Sequence, residues 1–397
     1  MPQRDKVRLS FTDGTTIEEW ESFTLKETFT DPLGSFQFVA KPDQDRIAFY
    51  RNKFRKGELV AVSVNQAPQF VGIVQSVTCE VSADSAVVFS ISGCSPLVTP
   101  YEGAAVDDPN DYSKELVFHS KGTADVPVED FVKRVMRPYG FTEIEVDTEA
   151  NIIVKTGKST AKRRKKLVLS DIKHSDGMAH PGETAYGLVS RIITRNGVVL
   201  RCAWNGTLLV ERPDYEQEPS YTFVQDFDGK RAGERFLQVS VVDSNEGQFS
   251  ECAVRGQNNL KTGTTSSARP VAVVRSDEIN ADRPPYSSSV AVYKPEIITD
   301  KESRDLKAAK NTATLKLGLA ASKAFVVRGT VDGFTSSTHR VYTVDTVAQV
   351  VVAAAGVDQR MWVLSRTFTQ SADGGQLTEL EFIGLGALVL GEVPGGS

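Results

Sequence analysis

His174 and His180, with Asp176 between them, carry the residue types of a metal site, because neutral imidazole and carboxylate both ligate first-row metals. The intervening Gly177 and the adjacent Pro181-Gly182 mark a loop, and no third histidine lies near, so the pattern predicts an ordinary loop. Lys162-Arg163-Arg164-Lys165-Lys166 is the one dense basic run and has the charge to hold phosphate. In a chain of net charge −5 it predicts a solvated loop. Carboxylates neighbour each other at Glu18-Glu19 and at Glu143 and Glu145. Glycoside hydrolysis needs two of them held about 5 to 10 Å apart across a cleft, which spacing along a chain does not establish. The nucleophile-elbow, zincin, phosphate-loop and dinucleotide signatures do not occur. The sequence therefore assigns no catalytic, cofactor-binding or metal-ligating residue and no cofactor, and it predicts a protein that is not an enzyme.

Composition narrows the remaining classes. At 397 residues, 40% hydrophobic and 24% charged, the chain has the make-up of an ordinary globular protein, and its length predicts roughly two to four domains. The net negative charge supplies no general attraction to nucleic acid or to an acidic membrane surface. Cys79, Cys94, Cys202 and Cys252 form no C-x-x-C pair and are expected to be reduced, mostly buried small hydrophobes. The opening MPQRDK leads into alternating apolar and polar positions, not a signal-peptide core. The longest apolar run, Val347 to Val357, is shorter than the roughly 18 residues of a membrane span. A protein made in a cytoplasm and soluble there, with no membrane span, is expected.

The elements that would position any site are clearest in Gly182 to Arg212, GETAYGLVSRIITRNGVVLRCAWNGTLLVER. Thr184 is placed to cap a helix whose Leu188, Val189, Ile192 and Ile193 recur at helical spacing, and Gly197 after Asn196 is placed to end it. Asn205-Gly206 between two β-rich runs predicts a two-residue type I′ hairpin. Before this stretch, residues 7 to 100 read as short strands. Val7–Phe11 alternates, Asp13-Gly14 turns, Ile17 to Phe29 returns, and Phe36, Phe38 and Ala40 mark one face of a third strand. A polar interval from Lys41 to Gly57 leads to Leu59–Val64 and to a hairpin of Phe70–Val81 with Val87–Ser92 over the Ser82-Ala83-Asp84 turn. From Pro100 an acidic loop over Tyr101 to Tyr112 precedes a short helix with Phe131, Val132, Val135 and Met136, entered past Asp125 and Pro127 and stopped by Pro138 and Gly140.

Strands return beyond residue 233, at Phe236–Val242 and Gln248–Arg255, followed by a polar loop from Gln257 to Ala268 and a break at Pro284-Pro285. Thr299 with Glu302 forms a capping-box pattern ahead of a helix over Asp300 to Lys323, with Leu306, Ala309, Leu317 and Ala320 as its packed face. Val326–Val331, Val341–Val352, Met361–Gln370 and Gln376–Gly384 close the fold, and Gly391–Ser397 is expected to fray. The first and third segments repeat each other: Phe29–Phe36 matches Val242–Phe249, and Val77–Gly93 matches Phe368–Gly384, in the same order. The predicted fold class is α+β, mainly β. Two tube-like antiparallel β-barrel domains, 1–100 and 234–397, flank a central α/β module at 101–233.

The order of these pieces resembles the baseplate hub, or tail-tube initiator, proteins of contractile phage tails, including the Mu-type tail protein. The carriers are GETAYGLVSRIITRNGVVL and NGTLLVERP, FSECAVRG at Phe249–Gly256, RPVAVVRSDEI at Arg269–Ile279, the helix from Asp300 followed by VVRGTVDGF, and the last hairpin. The resemblance implies a homotrimer whose two tube-like domains per chain make a pseudo-sixfold ring joining a hexameric tail tube to a trimeric spike. Its implied partners are the tail spike protein, the tail tube protein or a tube adaptor, other baseplate proteins and the tape measure protein. Its implied place is the virion, in the tail baseplate, after assembly in the host cytoplasm. The opening of the helix, PGETAYGL at Pro181–Leu188, also resembles a LysM glycan-binding repeat, which adds peptidoglycan as a partner. A peptidoglycan-binding tail component and a tail-associated cell-wall hydrolase are the alternatives these features leave open.

Overall fold

The computed structural model describes residues 5–82, 86–105, 126–146, 149–156, 159–166, 179–180, 182–194, 198–244, 246–256, 270–276, 294–300, 303 and 306–387. His174, Asp176, Gly177, Pro181, Gly197, Asp125, Glu302, the turn residues Ala83-Asp84, most of the acidic loop and the stretches around Gln257–Ala268, Pro284-Pro285 and Gly391–Ser397 lie outside them.

The first half contains β1 (Val7–Phe11), β2 (Thr16–Ile17), β3 (Ser22–Thr28), β4 (Asp31–Ala40), α1 (Ile47–Lys53), β5 (Leu59–Val64), β6 (Ala67–Val81) and β7 (Val87–Cys94). Alternation makes these strands: Val7, Leu9 and Phe11 in β1, and Phe36, Phe38 and Ala40 in β4, are buried while the residues between them are not. Two details depart from the sequence reading. The expected strand over Ile17 to Phe29 is two, β2 and β3, and the polar interval contains the helix α1. Its apolar signal is brief. Tyr50 and Phe54 lie one helical turn apart among charges and pack their rings 6.1 and 6.0 Å from Phe89.

The central module consists of α2 (Val98–Glu102), α3 (Val128–Met136), β8 (Ile144–Val146), β9 (Glu149–Thr156), β10 (Ser159–Lys166), α4 (Ala185–Ile193), β11 (Val199–Cys202) and β12 (Leu208–Glu211). Phe131, Val132, Val135 and Met136 of α3 pack with Leu188, Val189, Ile192 and Ile193 of α4, all almost fully buried, over a sheet ordered β11-β12-β8. The basic run, expected as a loop, is part of β10, paired residue for residue with β9. A ladder needs only backbone groups, so consecutive charges do not exclude it.

The second half contains β13 (Tyr221–Gln225), β14 (Glu234–Arg235), β15 (Gln238–Asp243), β16 (Glu251–Gly256), β17 (Val271–Arg275), β18 (Pro295–Asp300), α5 (Leu306–Ala321), β19 (Phe325–Asp332), β20 (Val347–Val352), β21 (Val357–Ser371) and β22 (Gly375–Gly384). Tyr221–Gln225, within the span assigned to the central module, pairs with Val347–Val352 and so shares the second half's sheet. The helix begins at Leu306 and not at Asp300. Thr299 is held in β18 opposite Arg255, and the Asp300 carboxylate accepts hydrogen bonds from Ser303 Oγ (2.5 Å) and Thr312 Oγ1 (3.1 Å). Ala309, Ala313 and Leu317 of α5 cover Cys252, Val254 and Ala272 of the sheet β17-β16-β18, whereas Leu306, expected on that face, is exposed.

The fold is α+β and mainly β, and fourteen of the described strands belong to one sheet. The first half is ordered β3-β4-β7-β6-β5-β1 and the second β15-β19-β22-β21-β20-β13. The two orders correspond strand for strand, with β13 parallel to β20 where β1 is antiparallel to β5. Both long hairpins carry a register shift at one place, at Gln75 in β6 and at Leu364 in β21. This common landmark aligns Val77 with Arg366, so the sequence match of Val77 to Phe368 finds the right hairpin and slips by two residues. The other match slips as well. Val242 lies one residue before the end of β15, but Phe249 leads into the β16–α5 insertion, and the strand that returns to β15 is β19.

Candidate assembly interface

The two halves meet along β21. One of its edges pairs with β22 along Met361–Ser371, and the other is divided between β20, along Val357–Trp362, and β3, along Ser365–Gln370. Each strand's alternation supplies the joint's apolar layer: Phe368 stands opposite Leu25 and Gln370 opposite Phe23, with Phe368, Leu25 and Phe23 at most 2% exposed. These rings and those of Phe38 and Phe334 form one core across both halves.

An ion network pins the joint from above. Glu27 of β3 accepts from Arg366 of β21 at 2.7 and 3.0 Å on one carboxylate oxygen and from Arg201 of β11 at 2.8 Å on the other. Arg201 also donates to Glu211 at 2.6 Å, and Arg366 to Gln69 Oε1 at 2.7 Å and to the carbonyl of Tyr342. Burial pushes the Glu27 carboxyl up, but the guanidinium charges of Arg366 and Arg201 outweigh it and hold the group below its ordinary value. Arg201, equally buried, is held protonated by Glu27 and Glu211. One carboxylate therefore ties the first half, the second half and the central module together.

Asp345 lies beside this network at a left-handed turn (φ +58°). Its Oδ1 accepts from Trp362 Nε1 at 2.9 Å and from the Asp214 backbone N–H at 3.1 Å, and its carbonyl accepts from Gln217 Nε2 at 2.9 Å. Burial, reinforced by the charge of Glu211, raises the Asp345 carboxyl to about 7. The group changes charge near neutrality at the seam where the segment between β12 and β13, through Asp214 and Gln217, meets the second half.

The residues singled out in the sequence do not converge here. The backbone N–H of His180 donates to Glu183, and Glu183 in turn pairs with Arg191 at 2.8 Å, an arrangement that fixes the start of α4. Thr184 caps α4 as expected, accepting from Gly187 N–H at 3.0 Å. Tyr186, in the LysM-like segment, packs its ring 5.3 Å from that of Tyr101, and burial pushes its phenol up to about 12. All four cysteines are free; Cys94 and Cys252 are buried, Cys202 is half-buried and Cys79, against expectation, is exposed. Among the described residues no group of three histidine, cysteine or acidic side chains could hold a metal, and no helix is long and apolar enough to cross a membrane. Glu27, Arg201, Arg366 and Asp345 went unmarked because their partners are up to 339 residues distant. The available signal was Arg366 itself, a charge in the apolar phase of a strand two residues before Phe368.

No family model and no curated protein matches the chain in sequence. Solved structures do match in shape. The 43 kDa tail protein of prophage MuSo2 from Shewanella oneidensis superposes with a TM-score of 0.69 at 17% identity, over 97% of this chain and 99% of that one. A tail protein from Neisseria meningitidis gives 0.72 at 17% identity, over 97% and 98%. An E. coli component of the type VI secretion system, described as similar in structure to the T4 tail proteins gp27 and gp5, gives 0.50 at 7% identity, over 97% and 79%. With near-complete coverage in both directions for the first two, the chain has the fold of these tail proteins.

Proposed function

We propose that the protein is a structural hub of a contractile phage tail: a trimeric ring of pseudo-sixfold symmetry that joins the hexameric tail tube to the trimeric spike and starts tube assembly. The observation that carries this reading is the doubled sheet, two strand-for-strand copies joined edge to edge within one chain. Three copies of a chain can meet a sixfold partner on equal terms only if each offers two similar surfaces. The likeness to prophage tail proteins supports the setting, and the tube, spike, tape measure and other baseplate proteins are the partners that follow. In this role the protein binds and positions, with no catalytic turnover, in the virion's baseplate after assembly in the host cytoplasm.

Native mass measurement of the purified protein, alone and with its spike partner, tests the reading. Three copies per ring are expected; a stable monomer under every condition overturns it. Zymography on cell walls tests the hydrolase alternative, and a clearing zone would overturn the assignment of a purely structural role.

A further inference from the structure

The joint that β21 makes with β3 has an open counterpart elsewhere in the same chain. In β6, the strand that corresponds to β21, the edge opposite β7 pairs with β5 only as far as Ile73. Beyond it, Val77–Val81 has no strand on that edge among the described residues. The strand that corresponds to β3 is β15, and its one described partner is β19. Each chain thus holds one joint closed and carries the two separate halves of a second. Those halves do not pair with each other in the chain: β19, β22, β21, β3, β4 and β7 lie between them in the sheet.

We infer that β15 of one copy pairs antiparallel with the free edge of β6 in the next copy, in the register that the closed joint dictates. This deepens the ring reading above and rests on it. The shared register shift at Gln75 and Leu364 places Cys79 where Phe368 stands. The β3–β4 and β15–β19 ladders, aligned through β7 and β22, place Val241 where Leu25 stands. Phe368 faces Leu25 in the closed joint, so Cys79 of one copy faces Val241 of the next. Val81 then faces Val239, and Val77 faces Asp243.

Burial supports the same pairing independently of topology. Phe368, Leu25 and Phe23 of the closed joint are at most 2% exposed, whereas Val81 is 69% exposed and Cys79 is exposed as well. Val77, Val239 and Val241 lie half-buried at the rim of the main core, on the face that the pairing would extend. A valine-bearing strand edge with unmet backbone donors and acceptors is a template for another strand, and natural proteins cover or blunt such edges. No like charges fall opposite each other in the inferred register: Glu80 faces Ser240, and Asp243 faces Val77. The contact is head to tail, each copy giving β15 and receiving on β6, so it closes into a ring or runs on as a filament. Alternating with the internal joint, it gives six similar joints around three copies.

The full-length chain carries half of its own test, because Cys79 is free and exposed. Residues directly opposite on antiparallel strands have Cα atoms about 4.5 to 5.5 Å apart, within the range a disulfide spans. Val241→Cys, mildly oxidised, is expected to yield covalent dimers and trimers on non-reducing gels, nothing larger, and none once Cys79→Ser is added. Val81→Cys with Val239→Cys, in the Cys79→Ser background, tests the neighbouring rung if the first variant folds poorly. Native mass showing three copies with neither pair cross-linked overturns this joint and leaves the ring standing. Monomers throughout, with the spike partner present, overturn the joint and the ring together. A covalent ladder extending beyond three would show the pairing but a filament, and would overturn the closed ring alone.

Discussion

Glu27 and Arg366 stand 339 residues apart in the chain and share a charge-assisted pair at 2.7 Å, with the Arg366 side chain 3% exposed. Arg201 takes the other oxygen of the same carboxylate. Two guanidinium groups on one buried carboxylate leave no charge unmatched at the joint only because Glu211 completes the set. The joint between the halves is therefore specific in its register: sliding β3 along β21 by one residue would turn Glu27 away from Arg366 and set an unpaired charge against the core.

Glu27→Gln is accordingly expected to destabilise the whole fold by about 3 to 5 kcal/mol, the usual cost of leaving a buried charge without its partner. Chemical denaturation reads this directly. In a cycle with Arg366→Gln the two losses should fall short of additive by at least about 1 kcal/mol. Additive losses would mean the pair does not couple the halves.

Asp345 makes a pH prediction of opposite sign to Glu27. Its carboxyl is raised from an ordinary 3.8 to about 7, so the folded state binds the proton more tightly than the unfolded chain. That contribution is complete below about 4 and is lost as pH rises towards 7. The lowered Glu27 carboxyl contributes above its ordinary value of 4.5 and loses that contribution as pH falls. Asp345→Asn should abolish the decline between pH 4 and 7, a difference of up to about 4 kcal/mol at neutrality for a shift of this size. Melting curves across that range check it; an unchanged slope would show that Asp345 is ionised in the fold.

How much of this was legible follows from the range of each interaction. Strands whose alternation is local, such as Val7–Phe11 and Met361–Gln370, and the capped helix at Thr184 could be read from a few adjacent residues. The α1 helix could not, because its apolar signal is one short run, Ile47–Tyr50, with Phe54 just beyond the helix, inside a polar interval. The doubled sheet was visible as a repeat, but its alignment slipped by two residues because Gly93 and Gly384 share a residue type without sharing a register position: Gly93 pairs with Val74, and Gly384 with Met361. The ion network was invisible, since nothing near Glu27 in sequence announces arginines from two other segments.

Turn geometry supplies a correction with its own test. Asn205-Gly206 is not a type I′ hairpin: Gly206 is left-handed (φ +89°), Asn205 is not, and Ala203 N–H reaches the Thr207 carbonyl at 2.8 Å around a three-residue loop. The Asn205 side chain accepts from Thr207 N–H at 3.0 Å, which favours the wider turn. The type I′ conformation occurs instead at Asn65-Gln66, with φ +48° and +70° between β5 and β6. Gly206→Val should cost about 1 to 2 kcal/mol through backbone strain alone, since open space surrounds the position. Gln66→Gly should raise stability by a few tenths to about 1 kcal/mol, as relief of the same strain is partly offset by glycine's entropy. Thermal melts that move the other way would show these φ values are not strained.

Gly329 tests whether the two copies fill their cores to the same volume by different means. The ladders place Gly329 where Phe38 stands in the first copy, opposite Leu380 as Phe38 is opposite Ile91. The missing ring is replaced by that of Phe236, which lies directly over the glycine, where an added Cβ would come within 2.1 Å of it. Phe236 also stacks 5.5 Å from Phe223 and stands edge-on to Phe382 at 6.2 Å, so it cannot withdraw without opening the core. Gly329→Ala is therefore expected to cost about 1 to 3 kcal/mol by overpacking. Pairing it with Phe236→Leu should recover part of that loss, because the smaller side chain leaves room for the methyl group. Equal melting temperatures for wild type and Gly329→Ala would show that Phe236 is free to move, and the aromatic ring would then not be the substitute that keeps the second copy equivalent to the first.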